Sequence, residues 1–414
     1  MSVTISSLSA GQSLFDKLAI QLDAVPIEQL ADYTAVEYYL TVEDESSPDA
    51  TNLEKVRCYL ESFEHLCKVN DWERADIVLF YPVNETGEEL HNQLFTWGYY
   101  HEKMVLCNKI LGKSFAKTDA IILNGLANIY HIFGQYDKAI EYYQKASNIF
   151  EQLQDQDGIA KNLGNLGIVY DTKSDYPTAI NYYQRTLNIA KTTSNLLLEG
   201  KTLGNIGIAY NSLGNYSQAI EYYQEALKIA QKLGNRQLEA NTLGSLGLAY
   251  DSLEKYAEAI EYHKQYFSLS EQLGNRLGQG NALGNLGMSY SHSGDYQKAM
   301  EYHKQSLKIS RELNNLSGEG NSLGNLGEVC IRFEKYPEAL EYLLASLEIS
   351  RRVGDVSSEA IDCYNLALVY FEQNNFELSR KYSDSALEIA NKLGIPLVKQ
   401  CQQLKEELSK KGYG

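Results

Sequence analysis

Proline is scarce in this chain, with 6 copies in 414 residues. Each proline removes a backbone donor and interrupts a helix, so its scarcity leaves room for long helices. Tryptophan is rarer still, with 2 copies. No stretch approaches the roughly 18 consecutive apolar residues of a spanning helix, so membrane insertion is not expected. The amino terminus, MSVTISSLSAGQ, lacks a basic start followed by an apolar core and does not read as a secretory signal. Runs of Lys and Arg are missing as well. A nucleic-acid partner is therefore not expected, because neutralising phosphates takes clustered cations. The six cysteines, Cys58, Cys67, Cys107, Cys330, Cys363 and Cys401, include no Cys-x-x-Cys pair and fall at irregular intervals. Neither a disulfide framework nor a zinc site is indicated, and reduced, packed thiols in a cytoplasmic protein are expected. His-Glu-x-x-His, Walker A and Gly-x-Ser-x-Gly motifs are absent, so no cofactor and no catalytic residue is expected.

What is abundant is tyrosine, with 32 copies, and acidic charge, with a net of -17. The charge is uneven. Residues 1–120 hold 9 Lys and Arg against 20 Asp and Glu, a net of -11, whereas residues 121–414 hold 28 against 34, a net of -6. Electrostatic complementarity favours a basic or mixed-charge protein segment as partner.

The tyrosines are periodic. GLANIY from Gly125, NLGIVY from Asn165, NIGIAY from Asn205, SLGLAY from Ser245, NLGMSY from Asn285, NLGEVC from Asn325 and NLALVY from Asn365 begin 40 residues apart without a slip. Within each unit a leucine or isoleucine such as Leu166 or Ile206 precedes a tyrosine by four residues, one face of a helix, with Cys330 substituting once. A turn follows. Then come an aromatic (Tyr136 to Phe376), a small residue three positions on (Ala139 to Ala339, with Ser379 last) and another aromatic three further (Tyr142 to Tyr382). Pro177 and Pro337 fall in the first turn of this second helix, where proline loses nothing. Leu-Gly-Asn at 233–235 and 273–275, and Val353-Gly354-Asp355, read as helix stops with a left-handed glycine. Each unit is thus a pair of amphipathic helices that can bury its apolar faces only by stacking on its neighbours. The expected fold is all-α, a solenoid of tandem helix–turn–helix units.

The pattern Leu…Gly…Tyr…Gly-x-Tyr-x-x-Ala…Tyr…Ala resembles the tetratricopeptide repeat. It is about six residues longer than the 34-residue form and lacks the closing proline. The long variant, with its recurrent Leu-Gly-Asn-Leu-Gly, is similar to the arrays of G-protein-signalling modulators that orient the mitotic spindle. It is equally similar to bacterial, especially cyanobacterial, tetratricopeptide proteins. ELHNQLFTWGYYHEKMVLCNKILGK (89–113) resembles a segment preceding such repeats in cyanobacterial proteins, some of them sensor arms of signalling ATPases. The resemblance covers about residues 54–394. It implies a right-handed superhelix with a concave and a convex wall, and a role as a scaffold or adaptor for another protein.

The chain divides on this reading into four parts. Residues 1–50 are a helical segment, with patterns around Leu14–Leu22 and Ile27–Leu40, ending in an acidic linker, EDESSPD at 43–49. Residues 51–118 hold atypical repeat-like helices, one pair over 54–80 and a second over 88–112. Residues 119–394 are the seven 40-residue units. Residues 395–414 form a capping helix, with Leu397, Cys401, Leu404 and Leu408 on one stripe.

Few residues stand outside the logic of stacking. His263 and His303 occupy the place of Tyr143, Tyr183 and Tyr223 and read as core. Glu221, Glu261, Glu301 and Glu341 recur as a solvated face. Two positions on the first helix need another reason. Five units carry glycine twice, at 164/167, 204/207, 244/247, 284/287 and 324/327, and each mid-helix glycine costs about 1 kcal/mol relative to alanine. The second is explained if it lets the paired helix, with its small alanine, approach closely. The first leaves backbone bare, either to keep a groove open for an extended chain or to pack successive first helices tightly.

Beside it runs a ladder of Asn165, Asn205, Ser245, Asn285, Asn325 and Asn365. Asparagine disfavours helix interiors, and its amide can pair with a peptide backbone. The resemblance to the signalling arrays implies that these residues line a peptide groove; hydrogen bonding between neighbouring repeats is the other reading. Lys161, Lys201, Asn241, Asn281 and Asn321 one turn earlier, and Asp171, Asn211 and Asp251 later, are expected to edge the same groove, giving a wall more polar than apolar. The expected function is a non-catalytic adaptor that captures an extended segment in the concave groove. A ligand- or peptide-gated regulator with the amino-terminal region as output module is the alternative, and an enzyme housed in residues 1–115 is a third reading.

Overall fold

The computed structural model describes residues 10–42, 49–83 and 87–413. Most of the expected acidic linker, residues 43–48, lies outside them. Two compact units are distinguished, Met1–Ile189 and Ala190–Gly414.

The repeat helices begin with Ala116–Ile132 and Tyr136–Gln152, followed by Gln156–Thr172 and Tyr176–Thr192. The pairs Leu196–Ser212 with Tyr216–Leu233, Arg236–Ser252 with Tyr256–Gln272 and Arg276–His292 with Tyr296–Glu312 come next. Leu316–Arg332 with Tyr336–Val353 and Val356–Glu372 with Phe376–Leu393 complete the series, and Leu397–Lys410 closes it with Cys401, Leu404 and Leu408 buried. The array is an all-α solenoid of helix–turn–helix repeats.

The local chemistry repeats with the helices. Asp155, Asn195, Asn235, Asn275, Asn315 and Asp355 each cap the helix that follows, their side chains accepting from the backbone N–H three residues on. An N-cap of this kind contributes about 1 kcal/mol. Leu-Gly-Asn therefore ends one helix on a left-handed glycine and starts the next with its asparagine. The tyrosine surplus also has a packing reason. Tyr170 stacks on Tyr182, Tyr210 on Tyr222, Tyr250 on Tyr262, Tyr290 on Tyr302 and Tyr370 on Tyr382, with ring centroids 5.2–5.6 Å apart and planes within 13°. Each stack ties the first helix of a pair to the second. Where Ser379 replaces the small alanine, its hydroxyl donates to the carbonyl of Ala367 at 2.8 Å, so the buried oxygen is satisfied.

The turn between the two helices of a pair needs one residue at positive φ. Gly214 and Gly294 supply it at φ 76° and 86°. Glu254 and Glu334 hold the same place at φ 60° and 56°. A residue with a Cβ pays about 1–2 kcal/mol there, against about 0.5–1 kcal/mol of extra chain entropy for glycine. The double substitution Glu254→Gly, Glu334→Gly is expected to stabilise the chain by about 1 kcal/mol in urea denaturation; a lower midpoint would contradict this.

Ahead of the repeats, helices at Ala10–Leu18 and Leu30–Thr41 replace the expected spans Leu14–Leu22 and Ile27–Leu40, with a short 3-10 turn at Leu22–Ala24. Helical pairs follow at Arg57–Lys68 with Trp72–Leu79 and at Leu90–Thr96 with Tyr100–Ile110. A two-residue antiparallel ladder, Pro82–Val83 against Glu88–Glu89, was not foreseen. One apolar core runs from Leu14, Val36 and Phe63 through Leu94 and Ile110 to Ile122 and Leu126 of the first repeat. Polar ties join the outermost helices to it. The Tyr33 hydroxyl donates to Asp71 at 2.7 Å, and Arg74 donates to the same carboxylate and to the carbonyl of Leu18. All six cysteines are free thiols, four of them buried. Among the described residues no helix is long and apolar enough to cross a membrane.

Candidate functional site

The two glycines of the first helix play different parts. A Cβ added to Gly207 would stand 2.5 Å from the Tyr223 ring, and one added to Gly287 would stand 2.5 Å from the His303 ring. Gly167, Gly247 and Gly327 are covered in the same way by Tyr183, His263 and Leu343. The second glycine is thus a seat for the large side chain at 183, 223, 263, 303 or 343. The paired helix does come close at this glycine, and what it seats there is this side chain in place of the small alanine. The first glycine is open. A Cβ on Gly204 would meet nothing within 4 Å, and one on Gly164 only Thr186 at 3.9 Å. Close packing of neighbouring first helices therefore does not require glycine at these two positions, although Gly244 and Gly324 are tighter, with atoms at 3.3 and 3.2 Å.

Within Ala190–Gly414 the open glycines and the ladder line two troughs. One, of about 550 Å³, is bordered by Lys201, Gly204, Asn205, Asn241 and Ser245. The other, of about 630 Å³, is bordered by Asn241, Ser245, Asn281, Asn285, Asn321, Asn325 and Asn365 together with Gly244, Gly284 and Gly324. Lys161 lines a separate pocket in Met1–Ile189. Asn165, Asp171, Asn211 and Asp251 line none of these spaces. One carboxylate or amide oxygen of Asp171, Asn211 and Asp251 is buried without a hydrogen-bond partner among the described residues. Burial raises the Asp171 carboxyl above its usual range.

The two readings of the ladder divide between the units. In Met1–Ile189, Asn165 donates to Asn124 and Asn128 of the preceding repeat at 3.3 and 3.4 Å, and Asn124 donates to Asn162 at 2.7 Å. Here the amides bind repeat to repeat. In Ala190–Gly414 the Ser245 hydroxyl turns back onto the carbonyl of Asn241 at 3.2 Å. Asn205, Asn285 and Asn325 are half-buried, and their side chains make no hydrogen bond with any described residue.

Sequence reasoning missed an aliphatic column in the same troughs. Ile208 and Leu248, about two-fifths exposed, and Met288 stand three residues after the ladder position. The wall is therefore mixed, not chiefly polar. The signal was present as the fourth letter of NIGIAY, SLGLAY and NLGMSY, and it becomes Glu328 in NLGEVC. The larger trough is lined by two carboxylates, Glu328 and the buried Asp362, and by no Lys or Arg. Asp362 accepts from Ser346 at 2.9 Å and Ser350 at 3.1 Å, yet burial still pushes its carboxyl up to about 6.

Among the described residues no cluster of His, Cys, Asp and Glu has the grouping to hold a metal ion. Tetratricopeptide-repeat models match residues 118–192, 198–272, 280–317 and 318–392. No curated protein matches the sequence. Among solved structures, the chain is similar to a signal transduction ATPase with numerous domains and a tetratricopeptide repeat sensor from Pyrococcus horikoshii. That match has 18% identity and a TM-score of 0.59, over 92% of this chain and 56% of the other. It is similar to aspartyl phosphate phosphatase F from Bacillus subtilis at 17% identity and TM-score 0.57, over 94% and 96%. A Rap protein complexed with competence and sporulation factor is similar at 16% identity and TM-score 0.53, over 92% and 99%. Likeness at these identities extends to the fold.

Proposed function

Because the chain belongs to the tetratricopeptide-repeat family, we propose that it is a non-catalytic scaffold that captures an extended segment of a partner protein along the troughs of Ala190–Gly414. The observation that carries this reading is the set of unused amides at Asn205, Asn285 and Asn325. Each offers a donor and an acceptor beside a first glycine, and at Gly204 and Gly284 nothing but a serine hydroxyl comes within 3.4 Å of where a side chain would begin. An extended peptide presents one N–H and one C=O per residue, which is what a ladder of free amides can pair. The aliphatic column of Ile208, Leu248 and Met288 would take its apolar side chains. Carboxylates without cations along the larger trough support a basic or mixed-charge partner. That a Rap protein was crystallised complexed with competence and sporulation factor supports partner capture by this fold. Six free thiols suit a reducing, cytoplasmic setting.

The test is affinity capture from the native host, identification of the bound protein, and titration of its segment against the chain and against Asn205→Ala, Asn285→Ala, Asn325→Ala. Alanine is the better helix former, so the triple variant should melt no lower than the parent. Each lost amide pair is worth about 1 kcal/mol, so affinity should fall at least about 30-fold. Unchanged affinity in the folded variant would refute the trough as the binding face.

A further inference from the structure

The atypical helical pair Leu90–Thr96 and Tyr100–Ile110 contains a lysine in an unusual place. Lys103, on the helix Tyr100–Ile110, is 3% exposed. It makes no ion pair and no hydrogen bond with any described residue. Its ammonium lies 4.8 Å from the centroid of the Phe95 ring and comes against Gly125, where a Cβ would stand 3.3 Å from Nζ. A buried ammonium that no carboxylate contacts is costly, and burial holds this one below its ordinary range, with the Glu89 carboxylate in the same pocket pulling the other way. Hydrophobic replacement of such a charge is normally neutral or stabilising, so its presence calls for an anion.

Lys103 lines a pocket of about 530 Å³ within Met1–Ile189, a volume in the range of small-molecule sites. Of the pocket's other charges, Asp155 takes Lys117 at 2.9 Å while capping its helix, and Glu89 accepts a hydrogen bond from His91 at 2.9 Å, which burial keeps from charging. Lys161, exposed at the rim, makes no ion pair. Asn128 accepts at its carbonyl oxygen from Tyr143 and Asn165, so its amide N–H groups remain to donate. The free donors are therefore Lys103 at the base, Asn128 on the wall and Lys161 at the rim. Phe95, Ile121 and Phe150 supply apolar surface between them.

We propose that this pocket binds a small organic monocarboxylate, its carboxylate on Lys103 and Asn128 and its apolar body against Phe95, Ile121 and Phe150. Charge decides for a monoanion. Glu89, Asp155 and Asp157 border the same space and repel a phosphate dianion about twice as strongly as a single carboxylate, and Lys103 is the one buried cation among the lining residues. The site does not depend on the troughs of Ala190–Gly414, and it can stand if they bind nothing.

Calorimetric titration of the full chain tests it with three probes: phenylacetate, its neutral analogue 2-phenylethanol, and inorganic phosphate. Phenylacetate is expected to bind saturably below about 1 mM, with the other two at least ten-fold weaker, in keeping with a charge-assisted hydrogen bond. Lys103→Met should lose phenylacetate binding at least ten-fold while melting no lower than the parent in the absence of probe. Lys161→Met should lose less, about three-fold. No saturable phenylacetate binding below about 10 mM, phosphate or phenylethanol binding as tightly as phenylacetate, or an unchanged affinity in Lys103→Met overturns the proposal. If Lys103→Met does not fold, Lys103→Gln serves the same comparison, and the three probes on the parent chain decide without any variant.

Discussion

Lowering the pH from 7 to 5 is expected to cost the chain about 4 kcal/mol of stability through two histidines, and replacing both with tyrosine should remove that loss. His263 and His303 are 0% and 1% exposed, each packed over a glycine. Both ring nitrogens of His263 and Nδ1 of His303 find no hydrogen-bond partner among the described residues. Burial pushes each imidazole down to about 4 from an ordinary 6.5; for His263 the Asp251 carboxylate pulls weakly the other way. The sign follows from which state holds the proton. Between pH 6.5 and 4 the unfolded chain protonates these histidines and the folded chain does not, so acid favours unfolding. With a shift of that size, each histidine contributes about 2 kcal/mol of loss by pH 5. Asp362 acts in the opposite sense. Its raised carboxyl takes up a proton in the folded state first, which returns about 1 kcal/mol over the same range. The measurement that isolates the histidines is therefore a difference. Urea denaturation of the parent and of His263→Tyr, His303→Tyr at pH 7 and pH 5 should show the parent losing about 4 kcal/mol more than the variant. Tyrosine is the fitting replacement because Tyr183 and Tyr223 sit over Gly167 and Gly207 in the same manner. Equal losses in parent and variant would mean that the rings protonate in place.

Those histidines illustrate what the sequence made legible. Their spacing of 40 residues, and their substitution for tyrosines of the same register, placed them in the repeat core without any structure. The same periodicity located every repeat helix, because a pattern repeated seven times averages out the local ambiguity of any one copy. Outside the repeat that averaging is lost. The helix expected at Leu14–Leu22 ends at Leu18, where Ala19 turns to φ 49°, and the small ladder at residues 82–83 and 88–89 carried no strand pattern. The candidate site was legible in position and less so in character. The glycine and asparagine columns were visible as departures from helix propensity, but identical letters hide different partners. Asn165 bonds to the preceding repeat while Asn205 and Asn285 bond to nothing described, a difference that depends on Asn124 and Asn128, about 40 residues away. Lys103 was illegible for the same reason. A lysine on a helix reads as solvated, and only packing shows it enclosed.

The two glycine columns should respond to alanine in opposite directions, and this is the sharpest check on the helix-pair geometry. In a helix interior, Gly→Ala gains about 1 kcal/mol when the new methyl meets open space. Gly204 has nothing within 4 Å in that direction, and Gly284 has only the Ser306 hydroxyl at 3.4 Å, an ordinary contact. Gly204→Ala, Gly284→Ala is thus expected to stabilise the chain by about 1–2 kcal/mol. Gly207 and Gly287 differ by one helical turn and have a ring at 2.5 Å. Their neighbours Tyr223 and His303 are buried, so the rings cannot swing into solvent, and overpacking of this kind costs about 1–3 kcal/mol per site. The chain itself shows how such a site can give. Ala127 stands where Gly167 and Gly207 stand, beneath Tyr143, and in that repeat the tyrosine pair Tyr130–Tyr142 is tilted by 53° where the others lie within 13°. In the last repeat Ala367 occupies the place and the large side chain is reduced to Ser383. The two repeats with alanine at this place thus carry either a differently oriented tyrosine pair or a smaller partner, and a single substitution at Gly207 or Gly287 supplies neither. Gly207→Ala, Gly287→Ala should lose about 4 kcal/mol, the two sites lying far enough apart to add. Chemical denaturation of both double variants against the parent reads the contrast directly. A gain at Gly207 and Gly287 would mean that the aromatic rings shift at no cost, and the second glycine would then have no packing reason.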